Sequence, residues 1–483
     1  MAELILNLWP YIAGALTAAL TLVTAAHAIL YKRDTRAAAG WVGIIWLAPI
    51  AGPVLYILFG INRIRRKASA LRSEGPQPPV PAPPAQSAEE DLKRSLPPKA
   101  HHLRSLVKLI DQVVQRPCLP GNRITPLVNG DAAYPAMLNA IEKAEKTVTM
   151  ATYIFNDGRA GRLFLEALKK AVSRNVAVRV LIDAVGARYS WPPVTRALER
   201  SGVPVARFLP TIIPWRMPYL NMRNHRKILV VDGRTAFTGG MNVSDENWLA
   251  GAGDGGVQDL HFQIEGPVVG HLQQAFAEDW AFAAGEALQG EAWFPALDAA
   301  GTTLARGIID GPDEDFEKFR WSILGALECA KSSIRIVTPY FLPDQSLITA
   351  LNVAAMTGIR VDIILPRENN LSMVQWASTH LLWQLLERGC RVWLSPPPFD
   401  HTKLMLVDGA WVLIGSANWD PRSLRLNFES NIECYDTLLA ETLEALFQAK
   451  LQKAHELSLE EVNSRSLPVQ LRDGVARLFS PYL

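Results

Sequence analysis

Two apolar stretches open the chain, at residues 4–30 and 37–61. Each is long enough to cross a bilayer as a helix, which takes about 20 apolar residues. The second contains Pro49, Gly52 and Pro53, so a kinked or re-entrant form stays open for it. We therefore predict a membrane hairpin over residues 1–67. The basic residues after the second stretch outnumber those in the loop, which favours a cytoplasmic catalytic portion.

Residues 68–98 form the next segment of the pattern. They are rich in Pro, Ala and Gln and contain few large apolar residues. Such a composition cannot bury a core, so we predict an extended, disordered linker.

Beyond residue 98 the hydrophobic pattern alternates between helix and strand periods and then repeats. Residues 140–155 reappear as residues 326–341, each an amphipathic helix that runs into an alternating strand ending in aromatics. This alternation predicts an α/β fold with a largely parallel sheet in each of two similar domains, 99–300 and 301–483. The length of 483 residues agrees with two or more domains.

Charge and cysteine usage narrow the partners. The net charge is +2, so no basic field points to nucleic acid. The four cysteines lie far apart with no C-x-x-C pair. This spacing predicts neither a zinc site nor a disulfide framework, but buried thiols in a reducing compartment.

One motif, H-x-K-x-x-x-x-D-G, occurs twice, and each copy continues with the same spacing to a glycine turn and an Asn. The apolar run before Asp-Gly predicts a buried strand closed by a tight turn. If the motif begins on this strand, each His lies beside its own Lys. The candidate catalytic motif residues are His225, Lys227, Asp232, His401, Lys403 and Asp408, and the candidate substrate-binding residues are Asn242 and Asn418.

The chemistry of these residues suits a phosphodiester and needs no metal or other cofactor. One imidazole can attack phosphorus while the other protonates the leaving alkoxide. The lysines and asparagines can hold the non-bridging oxygens, where negative charge builds. The motif aspartates are expected to serve the turns. Arg226 points away from its His on a strand and has no counterpart in the second copy, so it stays outside the catalytic group.

Two apolar loops precede the motifs. Ile212, Ile213, Trp215 and Tyr219 come before the first, and Phe399 comes before the second. Amphipathic aromatics beside a site suit a bilayer interface, so these residues are predicted to dock on the membrane. The alternative is that they fold inward as core.

The duplicated motif resembles the signature of the phospholipase D superfamily. Residues 420–429 and the N-terminal apolar hairpin are more narrowly similar to bacterial cardiolipin synthases, so the likeness covers nearly the whole chain. The resemblance implies that a pseudo-twofold interface brings the two His/Lys pairs together. It also implies that Asp259 and Glu429 support the histidines, and that His225 is the nucleophile.

The function implied by this resemblance is a phosphatidyltransferase of the bacterial inner membrane. It would make cardiolipin from two phosphatidylglycerol molecules through a phosphatidyl-histidine, with release of glycerol. Phosphatidylethanolamine as donor, hydrolysis by a phospholipase D or nuclease, and an inactive lipid-binding scaffold stay open as alternatives. The phospholipid and the bilayer are the expected partners, nucleic acid is not, and the oligomeric state is left open.

Overall fold

A computed structural model describes residues 2–32, 35–60, 88–210, 222–250, 255–312 and 316–480. The chain divides into two compact units, Met1–Lys67 and Ala68–Leu483. The apolar loop with Ile212, Ile213, Trp215 and Tyr219 lies outside the described residues, as does most of the predicted linker.

The N-terminal unit begins with one long helix, α1 (Ala2–Tyr31), of which Leu8–Tyr31 is long and apolar enough to cross a membrane. The second apolar stretch is divided into α2 (Thr35–Leu47) and α3 (Ala51–Leu55), and α3 continues into a π-helical turn, Tyr56–Gly60. This break agrees with the kinked form expected from Pro49, Gly52 and Pro53, and a second membrane crossing by residues 37–61 stays a prediction. The break coincides with the Pro-containing segment, because proline cannot donate the helix hydrogen bond.

The larger unit alternates helices and strands, as predicted. Its helices are α4 (Ala88–Ser95), α5 (Arg104–Val113), α6 (Asn129–Lys143), α7 (Arg159–Ser173), α8 (Val194–Arg200), α9 (Val269–Ala284), α10 (Lys318–Cys329), α11 (Gln345–Met356), α12 (Ser372–Thr379), α13 (Trp383–Leu386), α14 (Pro421–Arg425), α15 (Thr437–Leu451), α16 (Leu459–Asn463) and α17 (Leu467–Leu478), with short 3₁₀ turns at Pro98–Leu103, Gly186–Arg188 and Asp245–Asn247.

The strands of the first half are β1 (Leu119–Val128), β2 (Thr147–Thr152), β3 (Ala177–Asp183), β4 (Val205–Phe208), β5 (Arg223–Asn224), β6 (Ile228–Val231), β7 (Thr235–Gly239), β8 (Val257–Gln258) and β9 (Leu260–Glu265). Those of the second half are β10 (Thr303–Asp310), β11 (Ser333–Val337), β12 (Arg360–Pro366), β13 (Arg391–Ser395), β14 (Phe399–Asp400), β15 (Leu404–Val407), β16 (Trp411–Gly415), β17 (Asn427–Tyr435) and β18 (His455–Leu457).

The strand order is the same in both halves when it is followed outward from the β1–β10 pair, except that β18 is added at one edge. It reads β18-β13-β12-β11-β15-β16-β17-β10 in one half and β1-β9-β7-β6-β2-β3-β4 in the other, and the β1–β10 pair joins the halves into one sheet. This order confirms two similar α/β halves. The sheet is mixed, however, and not largely parallel: ten of the pairings among the described residues are antiparallel and six are parallel. Each motif strand turns back as an antiparallel hairpin, β6–β7 or β15–β16. Parallel pairing is found in β2-β3-β4, in β11-β12-β13 and in the two short pairs β5–β17 and β8–β14.

The first helices of the larger unit pack on the second half of the sheet, which is built by residues after 301. Leu92 of α4, Leu96 just after it, and Leu106 and Ile110 of α5 are buried in the same hydrophobic cluster as the second-half residues. The expectation of a disordered linker is therefore wrong for residues 88–98, because buried leucines fold them onto this core. The prediction that the first domain begins at residue 99 does not fit this packing either, because α5 packs on the core of the second half.

Candidate active site

The His and Lys of each motif lie in the connection from β5 to β6 and from β14 to β15. They precede the strand. The sequence had suggested that strand alternation places each His beside its Lys, and this is wrong. Instead the Lys227 ammonium donates to the carbonyl oxygen of His225 at 2.7 Å, and Lys403 makes the same bond to His401. Each ammonium is thus fixed beside its own histidine.

The two histidines are oriented by carboxylates from opposite halves. Nδ1 of His225 lies 3.0 and 3.1 Å from the oxygens of Glu429, and Nδ1 of His401 lies 2.8 Å from Oδ2 of Asp259. The exchange follows from the strands, because β5 pairs with the start of β17 and β14 pairs with β8. A carboxylate on Nδ1 fixes the tautomer and leaves Nε2 for chemistry.

The anchors of the two carboxylates differ. Glu429 accepts from Ser416 Oγ at 2.5 Å and from Asn427 Nδ2 at 3.1 Å, besides its contact with the histidine. Asp259 accepts from the backbone N–H of Leu260 at 2.8 Å and packs against Gly240, where an added Cβ would lie 2.4 Å from both carboxylate oxygens. Gly240 therefore makes room for Asp259. The lack of a side chain at Gly240 permits this close approach of the supporting carboxylate.

Arg226, which sequence reasoning left out, is fully buried behind the first motif. Its guanidinium pairs with Asp279 at 2.7 Å and donates to the carbonyl oxygens of Glu429 and Asp310 at 3.2 and 3.3 Å. It thereby ties the backbone of the His225 partner to both halves. Sequence reasoning did not identify this role, because the equivalent position in the second motif is Thr402 and not an arginine.

The motif aspartates act at the far ends of the hairpins. Asp232 accepts from the backbone N–H groups of residues 145–147, and Asp408 from those of residues 331–333. Asp408 also bonds His102 at 2.8 Å. Neither lines the cleft described next, so both act on the site through the fold and not by touching substrate.

The histidines open on one cleft of about 880 Å³ between the halves. Asn242 and Asn418 also line it. The side-chain oxygen of Asn242 accepts from the backbone N–H of Ile154 at 3.2 Å, whereas that of Asn418 is buried and finds no hydrogen-bond partner among the described residues. The structure thus brings together both motif histidines and both asparagines.

Two tyrosines in the cleft wall were missed by sequence reasoning. The ring of Tyr153 lies 5.4 Å from that of His225, and the ring of Tyr340 lies 6.1 Å from that of His401. In the internal repeat they stand one position apart, because Tyr153 aligns with Pro339 and Tyr340 aligns with Ile154. The repeat alone therefore did not mark them as a pair facing the site.

Phe399 is half-buried in the same wall, with its ring 6.0 Å from that of His401. It is therefore placed to contact a bound ligand. Its membrane-docking role stays a prediction.

Burial dominates the electrostatics of the site. It lowers the pKa of His225 against the attraction of Glu429, and it lowers the pKa of His401 to about 4. Burial also lowers the pKa of Lys227 to about 7 and that of Lys403 to about 8. The imidazoles are therefore neutral near pH 7, and a bound anion would favour the charged forms of all four groups.

Within the described part of the chain, no group of three or more His, Cys, Asp or Glu side chains could hold a metal ion. Lys227 and Lys403 lie directly beside the histidines, and Arg223 and Arg422 line the same cleft.

Comparison with known proteins agrees with this geometry. Residues 137–280 and 323–451 match the family described as "Cardiolipin synthase, PLD-like domain", and residues 19–60 match "Phospholipase_D-nuclease N-terminal". The chain is 32% identical over 466 residues to the cardiolipin synthase of Geobacillus kaustophilus, covering 94% of this chain and 90% of that protein. It is 32% identical over 489 residues to cardiolipin synthase A of Pseudomonas fluorescens, covering 98% and 99%. The crystal structure of phosphatidylserine synthase from Haemophilus influenzae matches with a TM-score of 0.58 and 16% identity, covering 79% of this chain and 100% of that chain, a likeness of fold.

Proposed function

Since the chain belongs to the cardiolipin synthases with phospholipase D-like domains, we propose that it makes cardiolipin from two phosphatidylglycerol molecules and releases glycerol. It is a phosphatidyltransferase, and its substrates are phospholipids. The observation that supports a two-step transfer is the crossed pairing of His225 with Glu429 and of His401 with Asp259 across one cleft.

In the first step, Nε2 of His225 attacks the phosphorus of one phosphatidylglycerol. The N–P bond forms as the bond to the glycerol oxygen breaks. His401, which the anionic phosphate of the bound substrate favours in its protonated form, gives its Nε2 proton to that oxygen. Glu429 accepts the Nδ1 proton's hydrogen bond and stabilises the positive charge on the His225 ring. Glycerol leaves, and a phosphatidyl-histidine remains.

In the second step, neutral His401 takes the proton from a hydroxyl of the second phosphatidylglycerol. The resulting alkoxide attacks phosphorus and the N–P bond breaks, which restores His225 and gives cardiolipin. Lys227, Lys403 and the two asparagines hold the non-bridging oxygens in both steps.

Assigning His225 as nucleophile is supported by its more rigid anchor. Glu429 is held by two further side chains, and its carbonyl oxygen by Arg226. A ring that must carry a covalent phosphatidyl group benefits from such fixed support.

The chain associates with membranes. We propose further that the N-terminal unit crosses the membrane twice and leaves the catalytic unit in the cytoplasm. A cysteine placed at Lys169, an exposed residue of the catalytic unit, should be labelled by an impermeant reagent only after spheroplasts are opened. Labelling of intact spheroplasts would contradict the cytoplasmic placement.

The decisive assay uses radiolabelled phosphatidylglycerol in mixed micelles and follows lipid products and free glycerol. We expect cardiolipin and glycerol in equal amounts. Phosphatidic acid in place of cardiolipin would show a hydrolase, and no turnover would show a lipid-binding scaffold. Labelled phosphatidylethanolamine in a parallel reaction tests the alternative donor.

A further inference from the structure

The two ends of the cleft are chemically different although the halves that build it are alike. Two residues before each motif His stands Arg223 in the first half and Phe399 in the second. Four residues after each motif Asn stands Glu246 in the first half and Arg422 in the second. All four line the cleft. The two halves therefore supply the same reacting groups but different side chains around them.

The strand pairing sorts these residues to opposite ends. Arg223 pairs with Asn427, which closely follows the helix of Arg422, and Phe399 pairs with Val257. One end of the cleft is thus lined by two guanidiniums and an amide. The other end is lined by an aromatic ring, an aliphatic side chain and, on the exposed rim, Glu246.

The two guanidiniums line the same cleft, and the pairing of Arg223 with Asn427 places its strand beside the end of the helix that carries Arg422. Partial burial lowers the pKa of Arg223, and the nearby charge of Arg422 lowers this pKa further. Asp183 and Tyr153 act in the opposite direction and raise it. Asp183 already accepts backbone N–H bonds on both oxygens, from residues 185, 186 and 224. A guanidinium has five N–H donors, so each arginine can keep an acidic neighbour and still donate to an oxyanion.

We propose that Arg223 and Arg422 bind the non-reacting phosphodiester of the acceptor phospholipid. This inference rests on the proposed function, in which the acceptor is itself a phosphatidylglycerol. Its attacking hydroxyl lies across a three-carbon glycerol from a second phosphate, and that phosphate needs a cationic place beside the histidines. The apolar end with Phe399 and Val257 takes the diacylglycerol of the donor.

This subsite distinguishes acceptors by charge. Water and free glycerol carry no phosphate, so they gain nothing from the arginines. A phosphatidylglycerol acceptor gains charge-assisted hydrogen bonds, each worth about 1.5–3 kcal/mol, or roughly a tenfold to hundredfold preference. The arginine end therefore favours transfer to lipid over exchange with glycerol.

The test compares two reactions of the full-length enzyme in the same micelles: cardiolipin formation, and exchange of labelled glycerol into phosphatidylglycerol. Both use the same donor, so the ratio of their rates reports the acceptor alone. We expect Arg422→Gln to lower this ratio at least tenfold and Arg422→Lys to lower it less. Arg425→Gln, on the same short helix but exposed beside Glu317, should leave the ratio unchanged.

Arg223→Gln provides a second variant from the other half and should lower the ratio in the same way. An unchanged ratio in both glutamine variants, or an equal loss of both reactions, would overturn the subsite. If the unsubstituted enzyme exchanges glycerol but makes no cardiolipin, the proposed function itself fails, and the acceptor subsite fails with it.

A separate observation concerns the last helix, α17, whose apolar side faces outward. Leu467, Leu471, Val475 and Leu478 are 55–75% exposed. Asp473 points inward, is buried, and pairs with Arg465 and Arg472. On a water-soluble core, an amphipathic helix normally buries its apolar face. In α17 the apolar stripe formed by these four side chains is exposed, so it needs an apolar partner.

The stripe lies one helix away from the cleft. α17 packs through Ala476 against Val374 and Ala377 of α12, and the residues at the start of α12, Leu371 and Met373, are exposed and line the cleft. Exposed Arg472 and Arg477 flank the stripe, as expected for contact with an anionic lipid surface.

We infer that the exposed face of α17 lies in the interface of an anionic bilayer and holds the cleft against the lipid. The substrate is itself a lipid, and apolar side chains continue from this helix to the cleft. A bilayer is therefore the occupant that serves both.

The test places a fluorophore on Leu471→Cys in the full-length protein, reconstituted in phosphatidylglycerol vesicles with lipids spin-labelled in the acyl chain. We expect strong quenching there and none on Lys169→Cys in α7 of the first half. Labelling of the protein without an added cysteine is the blank. Absence of quenching at residue 471 would overturn the inference, as would excimer formation between pyrene-labelled copies, which would show a second copy on this face.

Discussion

His225 and His401 share one backbone setting but differ in what holds their carboxylates, and this difference underlies the assignment of nucleophile and acid. With His225→Asn we expect no labelled phosphatidyl group on the protein after quenching in alkaline detergent, which preserves the acid-labile N–P bond. His401→Asn should retain the label, because attack still occurs, but lose turnover by at least about 10²–10⁴-fold. Label on the His225 variant and none on the His401 variant would reverse the two roles.

The buried lysines predict the alkaline limit of activity. Burial lowers the pKa of Lys227 to about 7 and that of Lys403 to about 8. As pH rises through these values each ammonium loses the charge that holds the phosphoryl oxygens. We expect kcat/KM, which reports the free enzyme, to fall progressively from about pH 7 to above pH 8. A profile in nonionic micelles that stays flat to pH 10, with the fold intact by circular dichroism, would contradict this.

The hairpins that carry the motifs depend on their terminal aspartates. Asp408 is in the left-handed region (φ 54°) and accepts backbone N–H bonds from residues 331–333. Burial favours the neutral acid, yet these bonds prevail and lower its pKa. Asp408→Asn should cost about 2–3 kcal/mol of unfolding free energy at pH 7, whereas the exposed Glu328→Gln should cost little.

The pH dependence of that loss is also fixed. A carboxyl whose folded pKa is depressed stabilises the fold above its unfolded pKa of about 3.9, and this contribution is lost as pH falls through the folded value. The gap between wild type and Asp408→Asn should therefore close in acid. A gap that persists at pH 2 would show that the charge is not what matters.

Local pattern predicted the elements better than their pairing. The Asp-Gly turns at Asp232 and Asp408 were identified, yet they close antiparallel hairpins, and the prediction of largely parallel sheets overlooked this. The family resemblance pointed to the carboxylates Asp259 and Glu429 as supports of the histidines. Their exchange between halves was not predicted, because it depends on two-residue strands, β5 and β14, that are too short to give a periodic signal.

Over the whole molecule, the repeat predicted two halves and a shared site, but it said nothing of segments that occur once. α4 and α5 have no copy in the second half, and chain order assigned them to a linker and to the first domain. Their leucines in fact complete the core under the second half. Only the three-dimensional packing reveals such an exchange, because burial against a distant segment leaves no local trace.

This packing predicts that the segment at residues 88–96 supports a site to which it contributes no residue. Leu92 and Leu96 are buried in the cluster that also contains Phe341 and Trp419, the neighbours of Tyr340 and Asn418 in sequence. Leu92→Ala with Leu96→Ala should lower the unfolding free energy by about 4 kcal/mol or more, since each buried leucine truncation costs about 2–5 kcal/mol. Denaturant unfolding of the full-length protein in detergent measures this.

Lys93→Ala, exposed on the same helix, is the matched control and should change stability by less than about 0.5 kcal/mol. The double variant should also lose activity at a lower temperature than the control, because the second half of the cleft rests on the weakened core. Equal stability of the two variants would mean that residues 88–96 do not form part of this core in solution and act as the spacer that their composition first indicated.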